Sequence, residues 1–140
     1  MAGSAVVSGT PLRILVCEDD EQLAALVGEL LADDGDFDVV GRARDGEEAV
    51  RLAAELRPEL VLMDIGLPGV DGIEATRAIR AAVGAPHVVI YTGSDEYADV
   101  ARADDAGADG YLHKNALTSP DLPDALRVLH RNYLAGRVED

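Results

Sequence analysis

Several acidic residues of this sequence stand directly after short apolar runs. Asp64 follows the run LVLM and precedes a turn rich in glycine and proline. A second group of acids, Glu18, Asp19 and Asp20, follows the run RILVC. A hydroxyl ends a later run, at Thr92, and an amine follows the last run, at Lys114. If these side chains meet in the fold, they could bind a cation and take part in phosphoryl transfer.

The elements that must position these residues follow from the hydrophobic pattern. Five apolar runs alternate with five segments of helical periodicity, and the runs are RILVC, FDVV, LVLM, HVVIYT and DGYLH. This alternation predicts a parallel sheet covered by helices on both faces, which right-handed crossovers make a doubly wound α/β fold. Asp45 and Asp71 are placed to cap the second and third helices, and Gly84 to end the third.

In such a sheet the functional crevice lies at the carboxyl ends of the strands, so the acids are expected to converge there. Clustered carboxylates repel one another, and a divalent cation removes that conflict. A donor set made of oxygen atoms favours Mg²⁺, with Mn²⁺ as a possible substitute, over Zn²⁺. The carbonyl of Gly66 could complete the coordination, and Asp64 could act as a nucleophile that forms an acyl phosphate.

Composition excludes some other functions. The chain has 12 basic and 27 acidic residues, a net charge of −15, which argues against direct binding of nucleic acid. The apolar runs are too short to cross a bilayer, and Cys17 is the one cysteine, so we expect a cytoplasmic protein without a disulfide. The three histidines, His87, His113 and His130, are far apart in sequence, and we expect no metal cluster among them.

A nucleotide-binding α/β enzyme is a rival class. Such an enzyme needs a glycine-rich loop after the first strand, whose backbone amides hold phosphates. Here that place reads CEDDEQ, which would repel nucleotide phosphates. The sequence therefore favours a site that accepts a phosphoryl group over one that binds a nucleotide.

The chain resembles the receiver domains of two-component response regulators, the CheY-like family. The motifs that carry the resemblance are ILVCEDD, LVLMDIGLPGVDGIEATRAIR, VVIYTGS and GADGYLHK, in the family's order and spacing. The string GYLHKN is more similar to the NarL/FixJ-like subfamily. The resemblance implies a five-stranded sheet of order 2-1-3-4-5 and a signalling switch rather than a metabolic enzyme, with self-catalysed phosphorylation and dephosphorylation.

The resemblance also implies a role for each site residue. A partner histidine kinase would phosphorylate Asp64, and Glu18 and Asp19 would be the acidic pair that holds Mg²⁺, with Asp20 outside it. Thr92 corresponds to the switch hydroxyl and Lys114 to the site lysine. Tyr111 corresponds to the aromatic switch residue, which rotates inward on phosphorylation and remodels the face made by the fourth helix, fifth strand and fifth helix.

Further expectations concern the rest of the protein. We expect a leader at 1–11, a receiver domain at 12–135 and a tail or linker at 136–140. The subfamily usually carries a C-terminal helix-turn-helix output domain that controls transcription, and this sequence contains none. The resemblance implies that such domains often form homodimers through the switching face, and the sequence itself leaves the oligomeric state open. A degenerate receiver that only dimerises is the alternative. Asn115 stands where many receivers have a proline, often with a cis bond, a geometry that is costly for other residues.

Overall fold

The alternation of strands and helices predicted from the sequence is present in a computed structural model, which describes residues 10–93 and 97–139. The strands are β1 (Leu12–Cys17), β2 (Phe37–Ala43), β3 (Leu60–Asp64), β4 (His87–Thr92) and β5 (Gly110–His113). The helices are α1 (Glu21–Ala32), α2 (Gly46–Leu56), α3 (Gly72–Ala81), α4 (Tyr97–Asp105) and α5 (Leu122–Glu139). A short 3₁₀ helix, Lys114–Thr118, follows β5 and was not predicted.

The sheet is parallel throughout and has the order β2-β1-β3-β4-β5, which confirms the predicted doubly wound fold. Its register brings the strand ends level with one another. Asp64 at the end of β3 pairs with Tyr91 of β4, and Thr92 at the end of β4 pairs with His113 of β5. The carboxyl edge of the sheet therefore carries both Asp64 and Thr92, as predicted.

Two apolar cores lie on the two faces of the sheet, because successive strand residues point to opposite sides. Leu15 and Cys17 belong to the core beneath α2, α3 and α4, whereas Ile14 and Val16 belong to the core beneath α1 and α5. All five residues of β3 are buried, as expected for a central parallel strand. Cys17 is fully buried and is one of the small side chains of this core.

Aspartates cap the first three helices by accepting hydrogen bonds from backbone amides of the first turn. Asp45 accepts from the Glu48 amide and Asp71 from the Glu74 amide, which confirms both predicted caps. Asp20 caps α1 through the amides of residues 22 and 23, at 2.9 and 3.1 Å. The third acid of the CEDD motif is therefore a helix cap.

The ends of the predicted domain are only partly covered by the described residues. Of the predicted leader, residues 1–9 lie outside the described residues. Helix α5 runs to Glu139, beyond the predicted domain boundary at 135, and that boundary stays a prediction. No helix within the described ranges is long and apolar enough to cross a membrane.

Candidate functional site

Three carboxylates meet where β1 and β3 end. Glu18, Asp19 and Asp64 each offer an oxygen atom, and these atoms all lie within 4.8 Å of one another. The side chains of Glu18 and Asp64 are buried and that of Asp19 is exposed. Adjacent parallel strands produce this convergence, because Cys17 pairs with Met63 and each strand runs directly into its acid. The pattern of acids at strand ends predicted this arrangement.

Asp64 occupies an environment that disfavours its charged form. Burial is the main cause that raises the pKa of the Asp64 carboxyl group, and the charges of Glu18 and Asp19 raise it further. Two groups oppose this effect: the Gly66 amide, which donates a hydrogen bond of 2.9 Å to Asp64 Oδ1, and the Lys114 ammonium. Burial and the neighbouring acids thus together disfavour a charged Asp64 in the protein alone.

The predicted hydroxyl and amine residues, Thr92 and Lys114, stand at or just after the ends of β4 and β5, on the same edge of the sheet as Asp64. Thr92 ends β4 and has only 9% of its surface exposed. Lys114 directly follows β5, is half-buried and passes Gly93, where a Cβ atom would lie 3.8 Å from Lys114 Cδ. No peptide bond among the described residues is cis, so the bond between Lys114 and Asn115 is trans.

The loop after Asp64 is held closely against its surroundings. The Ile65 amide donates to the Tyr91 carbonyl at 3.0 Å, and the Ile65 carbonyl accepts from the Gly72 amide at 3.2 Å. A Cβ atom at Gly72 would lie 2.1 Å from the Asp64 carbonyl oxygen, so this close approach requires glycine. The loop places Gly66 next to the carboxylate through its amide, and the predicted metal-binding role of the Gly66 carbonyl stays a prediction.

Two residues that the sequence analysis did not single out hold the loop that carries Glu18 and Asp19. The Tyr91 hydroxyl donates to Glu18 Oε1 and lies 3.1 Å from the Cys17 carbonyl oxygen. Arg42 Nη2 donates to the carbonyls of Glu18 and Asp19 at 3.1 and 3.4 Å. A signal for Tyr91 was present in the run HVVIYT, since a tyrosine in a buried strand needs a partner for its hydroxyl.

Tyr111, the predicted aromatic switch residue, lies outside the acid pocket. It is on β5, two strands from Asp64, and 41% of its surface is exposed. Val128 and Leu134 of α5 are also exposed apolar side chains. Two of the elements predicted to form the switching face, β5 and α5, thus each carry exposed apolar side chains.

A histidine pair at the other end of the sheet was not predicted, because its members are far apart in sequence. His87 begins β4 and His130 lies in α5, yet their Nδ1 atoms are 3.0 Å apart. The Tyr133 ring stacks on the His87 ring with centroids 4.2 Å apart. His113, by contrast, accepts a hydrogen bond from the Asn115 amide. His87 and His130 thus contact one another although they stand 43 residues apart in the sequence.

The acid pocket fits a hard divalent cation. Among the described residues it is the one group of three or more side chains that could hold a metal ion, and its ligand atoms are carboxylate oxygens. A bound cation would favour the charged form of Asp64, which burial and the charges of Glu18 and Asp19 disfavour. Receiver domains generally bind Mg²⁺ through acidic residues, and Glu18, Asp19 and Asp64 are the residues present for that role.

A doubly wound parallel sheet with an acid pocket at its carboxyl edge and a lysine after β5 defines the class of CheY-like signalling domains. Comparison with known families agrees: residues 14–127 match the model of the response regulator receiver domain, and the chain belongs to that family.

Comparison with individual relatives indicates a subfamily within this family. The chain is 34% identical over 122 residues to the response regulator protein VraR of Staphylococcus saprophyticus, a match that covers 87% of this chain and 58% of VraR. A two-component response regulator of the LuxR family from Aurantimonas sp. has a TM-score of 0.80 and 35% identity, covering 88% of this chain and 87% of that one. The receiver domain of NarL from Mycobacterium tuberculosis has a TM-score of 0.79 and 29% identity, covering 86% and 97%.

These relatives support the predicted NarL/FixJ-like subfamily. The chain spans less than two thirds of the length of VraR.

Proposed function

We propose that this domain is a magnesium-dependent phosphoacceptor switch whose acceptor is Asp64. The observation that carries the proposal is the convergence of Glu18, Asp19 and Asp64 within 4.8 Å at the end of the central strands. Lys114 is close enough to act on the pKa of Asp64. The proposed phosphodonor is a phosphohistidine of a sensor histidine kinase.

In the proposed reaction an Asp64 carboxylate oxygen attacks the phosphorus atom of the phosphohistidine. A P–O bond forms, the P–N bond breaks, and the kinase imidazole leaves with the electron pair. Mg²⁺ held by Asp19 and Asp64, with Glu18 and the Gly66 carbonyl as further partners, would neutralise charge on the phosphoryl oxygens. The Lys114 ammonium supplies positive charge from the side of β5. Hydrolysis by the same site, in which water attacks phosphorus and releases phosphate, restores the carboxylate.

The proposed output is a change of the face formed by α4, β5 and α5. The Thr92 hydroxyl moves to donate a hydrogen bond to the phosphoryl group, and the exposed Tyr111 ring rotates inward. Homodimerisation would use this face, on which the Tyr111 side chain of β5 is 41% exposed. Longer relatives such as VraR support a further output domain in the full-length protein, and we propose transcription control as its role.

Intact-protein mass spectrometry tests the proposal. The protein is incubated with Mg²⁺ and acetyl phosphate, and we expect a mass gain of one phosphoryl group that disappears with chelator. Asp64→Asn should abolish the gain, whereas the matched control Asp38→Asn, an exposed acid of β2, should keep it. If no donor phosphorylates the folded wild-type protein, the switch function is wrong and the degenerate dimerisation module replaces it.

A further inference from the structure

Tyr91 is an unusual neighbour for an acid pocket because its ring lies in the apolar core while its hydroxyl reaches a carboxylate. The residue is 1% exposed and its ring packs in the core beneath α1 and α5. Its hydroxyl donates to Glu18 Oε1 and lies 3.1 Å from the Cys17 carbonyl oxygen. A carboxylate can only accept, so the phenol hydroxyl is the donor of this bond.

Glu18 has both carboxylate oxygens engaged by the protein. Oε1 accepts from Tyr91, and Oε2 accepts from the Asp20 amide at 2.9 Å. The carboxylate is 1% exposed, so water has little access to replace either donor. Two donors on opposite oxygens fix the orientation of this carboxylate, and removal of one would leave a buried charged oxygen without its partner.

Tyr91 also contacts the second acidic strand through its backbone. Its carbonyl accepts from the Ile65 amide at 3.0 Å, directly after Asp64. The next residue along the chain is Thr92, the proposed switch hydroxyl. Residue 91 thus joins the ends of β1, β3 and β4, through its side chain on one side and its backbone on the other.

We propose that Tyr91 is a positioning residue for the cation site: its hydroxyl holds the Glu18 carboxylate in the orientation that serves the metal, and it ties that carboxylate to β4 beside Thr92. This inference rests on the proposed magnesium-dependent function. It goes further by giving Glu18 a partner on which the affinity of the pocket depends. Partners of this kind orient metal-binding carboxylates, and their loss typically lowers affinity by about 10- to 100-fold.

Isothermal titration calorimetry of Mg²⁺ into the unphosphorylated protein tests the inference without any turnover. Tyr91→Phe keeps the ring in the core and removes only the donor, and we expect it to raise the Kd for Mg²⁺ about tenfold. Tyr133→Phe is the matched control, because Tyr133 lies at the opposite end of the sheet beside His87, and its Kd should equal that of the wild type. Thermal unfolding in chelator checks that each variant is folded.

A double-mutant cycle shows whether the effect passes through Glu18. In a Glu18→Ala background, Tyr91→Phe should change the Kd by less than about twofold. With acetyl phosphate, Tyr91→Phe should raise the Mg²⁺ concentration for half-maximal rate and leave the rate at saturating Mg²⁺ nearly unchanged.

Three results would overturn these assignments, and they are distinguishable. An unchanged Kd in folded Tyr91→Phe refutes the positioning role. An equal loss of affinity in the Glu18→Ala background refutes the route through Glu18 and makes the effect one of core packing. Failure of the wild-type protein to bind Mg²⁺ refutes the metal site itself, and with it the proposed function.

Discussion

A divalent cation held by the acids would lie near the Lys114 ammonium, so two positively charged groups would share one small pocket. The Lys114 ammonium lowers the pKa of Asp64 and so favours its charged form. The same ammonium repels a divalent cation bound to Asp64. We therefore expect the Lys114 ammonium to stabilise the negative charge of the transferring phosphoryl group in the proposed reaction, and not to strengthen metal binding.

Replacement of Lys114 should separate metal binding from phosphorylation. We predict that Lys114→Ala slows phosphorylation by acetyl phosphate about 100-fold, because one electrostatic partner of the transferring group is lost. Its affinity for Mg²⁺ should be equal to or higher than that of the wild type, because a repelling charge is removed. Phosphorylation rates and calorimetry measure the two effects. A wild-type rate, or a parallel loss of rate and metal affinity, would contradict this role.

At the scale of elements, close backbone approach determines how the loop after Asp64 meets α3. Gly72 begins α3, and a Cβ atom there would lie 2.1 Å from the Asp64 carbonyl oxygen and 2.8 Å from Ile65 Cα. Both neighbours are backbone atoms that cannot rotate away. A change at Gly72 would therefore displace the backbone of Asp64, which belongs to the acid pocket.

We predict that Gly72→Ala destabilises the fold by about 2 kcal/mol, since the backbone must shift to accept the methyl group. The shift moves the Asp64 carbonyl, so Mg²⁺ affinity should fall as well. Urea unfolding measures the first effect and calorimetry the second. A variant as stable as the wild type would show that the two segments are less tightly packed than the structure indicates.

Substitution of Gly28 should have the opposite effect on stability, because a methyl group has room there. Gly28 lies within α1 and has no atom within 4 Å of the position that a Cβ would occupy. Alanine restricts the unfolded chain and favours helix, so Gly28→Ala should stabilise the protein by about 0.5–1 kcal/mol. Urea unfolding measures this gain as well. A destabilised Gly28→Ala would mean that this surface of α1 is constrained by something other than its own helix.

At the scale of the whole molecule, the His87–His130 pair connects the start of β4 to α5. Burial, followed by the nearby charges of His130 and Arg80, lowers the pKa of His87 to about 4. Burial also lowers the pKa of His130, which Glu59 partly opposes. Arg80 is itself paired with Asp109 at 3.4 Å. The pair is therefore neutral at pH 7 and resists protonation in the folded state.

This pair should make the fold sensitive to mild acid. The unfolded chain binds protons at His87 from about pH 6.5 downward, and the folded chain only near pH 4, so stability is full above pH 6.5 and falls between these values. The loss attributable to His87 is roughly 3 kcal/mol across that window. Urea unfolding of wild type and His87→Phe at several pH values measures it as a difference. Parallel stability curves for the two proteins would contradict the prediction.

The contrast between the acid pocket and the histidine pair shows what the sequence could predict. Asp64 and Glu18 each follow an apolar run directly, and parallel strands bring their ends together whatever the details of packing. The contact between His87 and His130 depends on how α5 is rotated against the sheet, and the bond from Tyr91 to Glu18 depends on the reach of one side chain across a strand. No periodicity in the sequence encodes either distance.

The measurement that tests the central claim most directly is the location of the phosphoryl group. The protein is phosphorylated in Mg²⁺, the acyl phosphate is reduced with borohydride, and peptide mass spectrometry finds the residue converted to homoserine. We predict conversion at residue 64 and at no other aspartate. Conversion at Asp19 or Asp20, or none in folded protein that binds Mg²⁺, would show that Asp64 is not the phosphoacceptor.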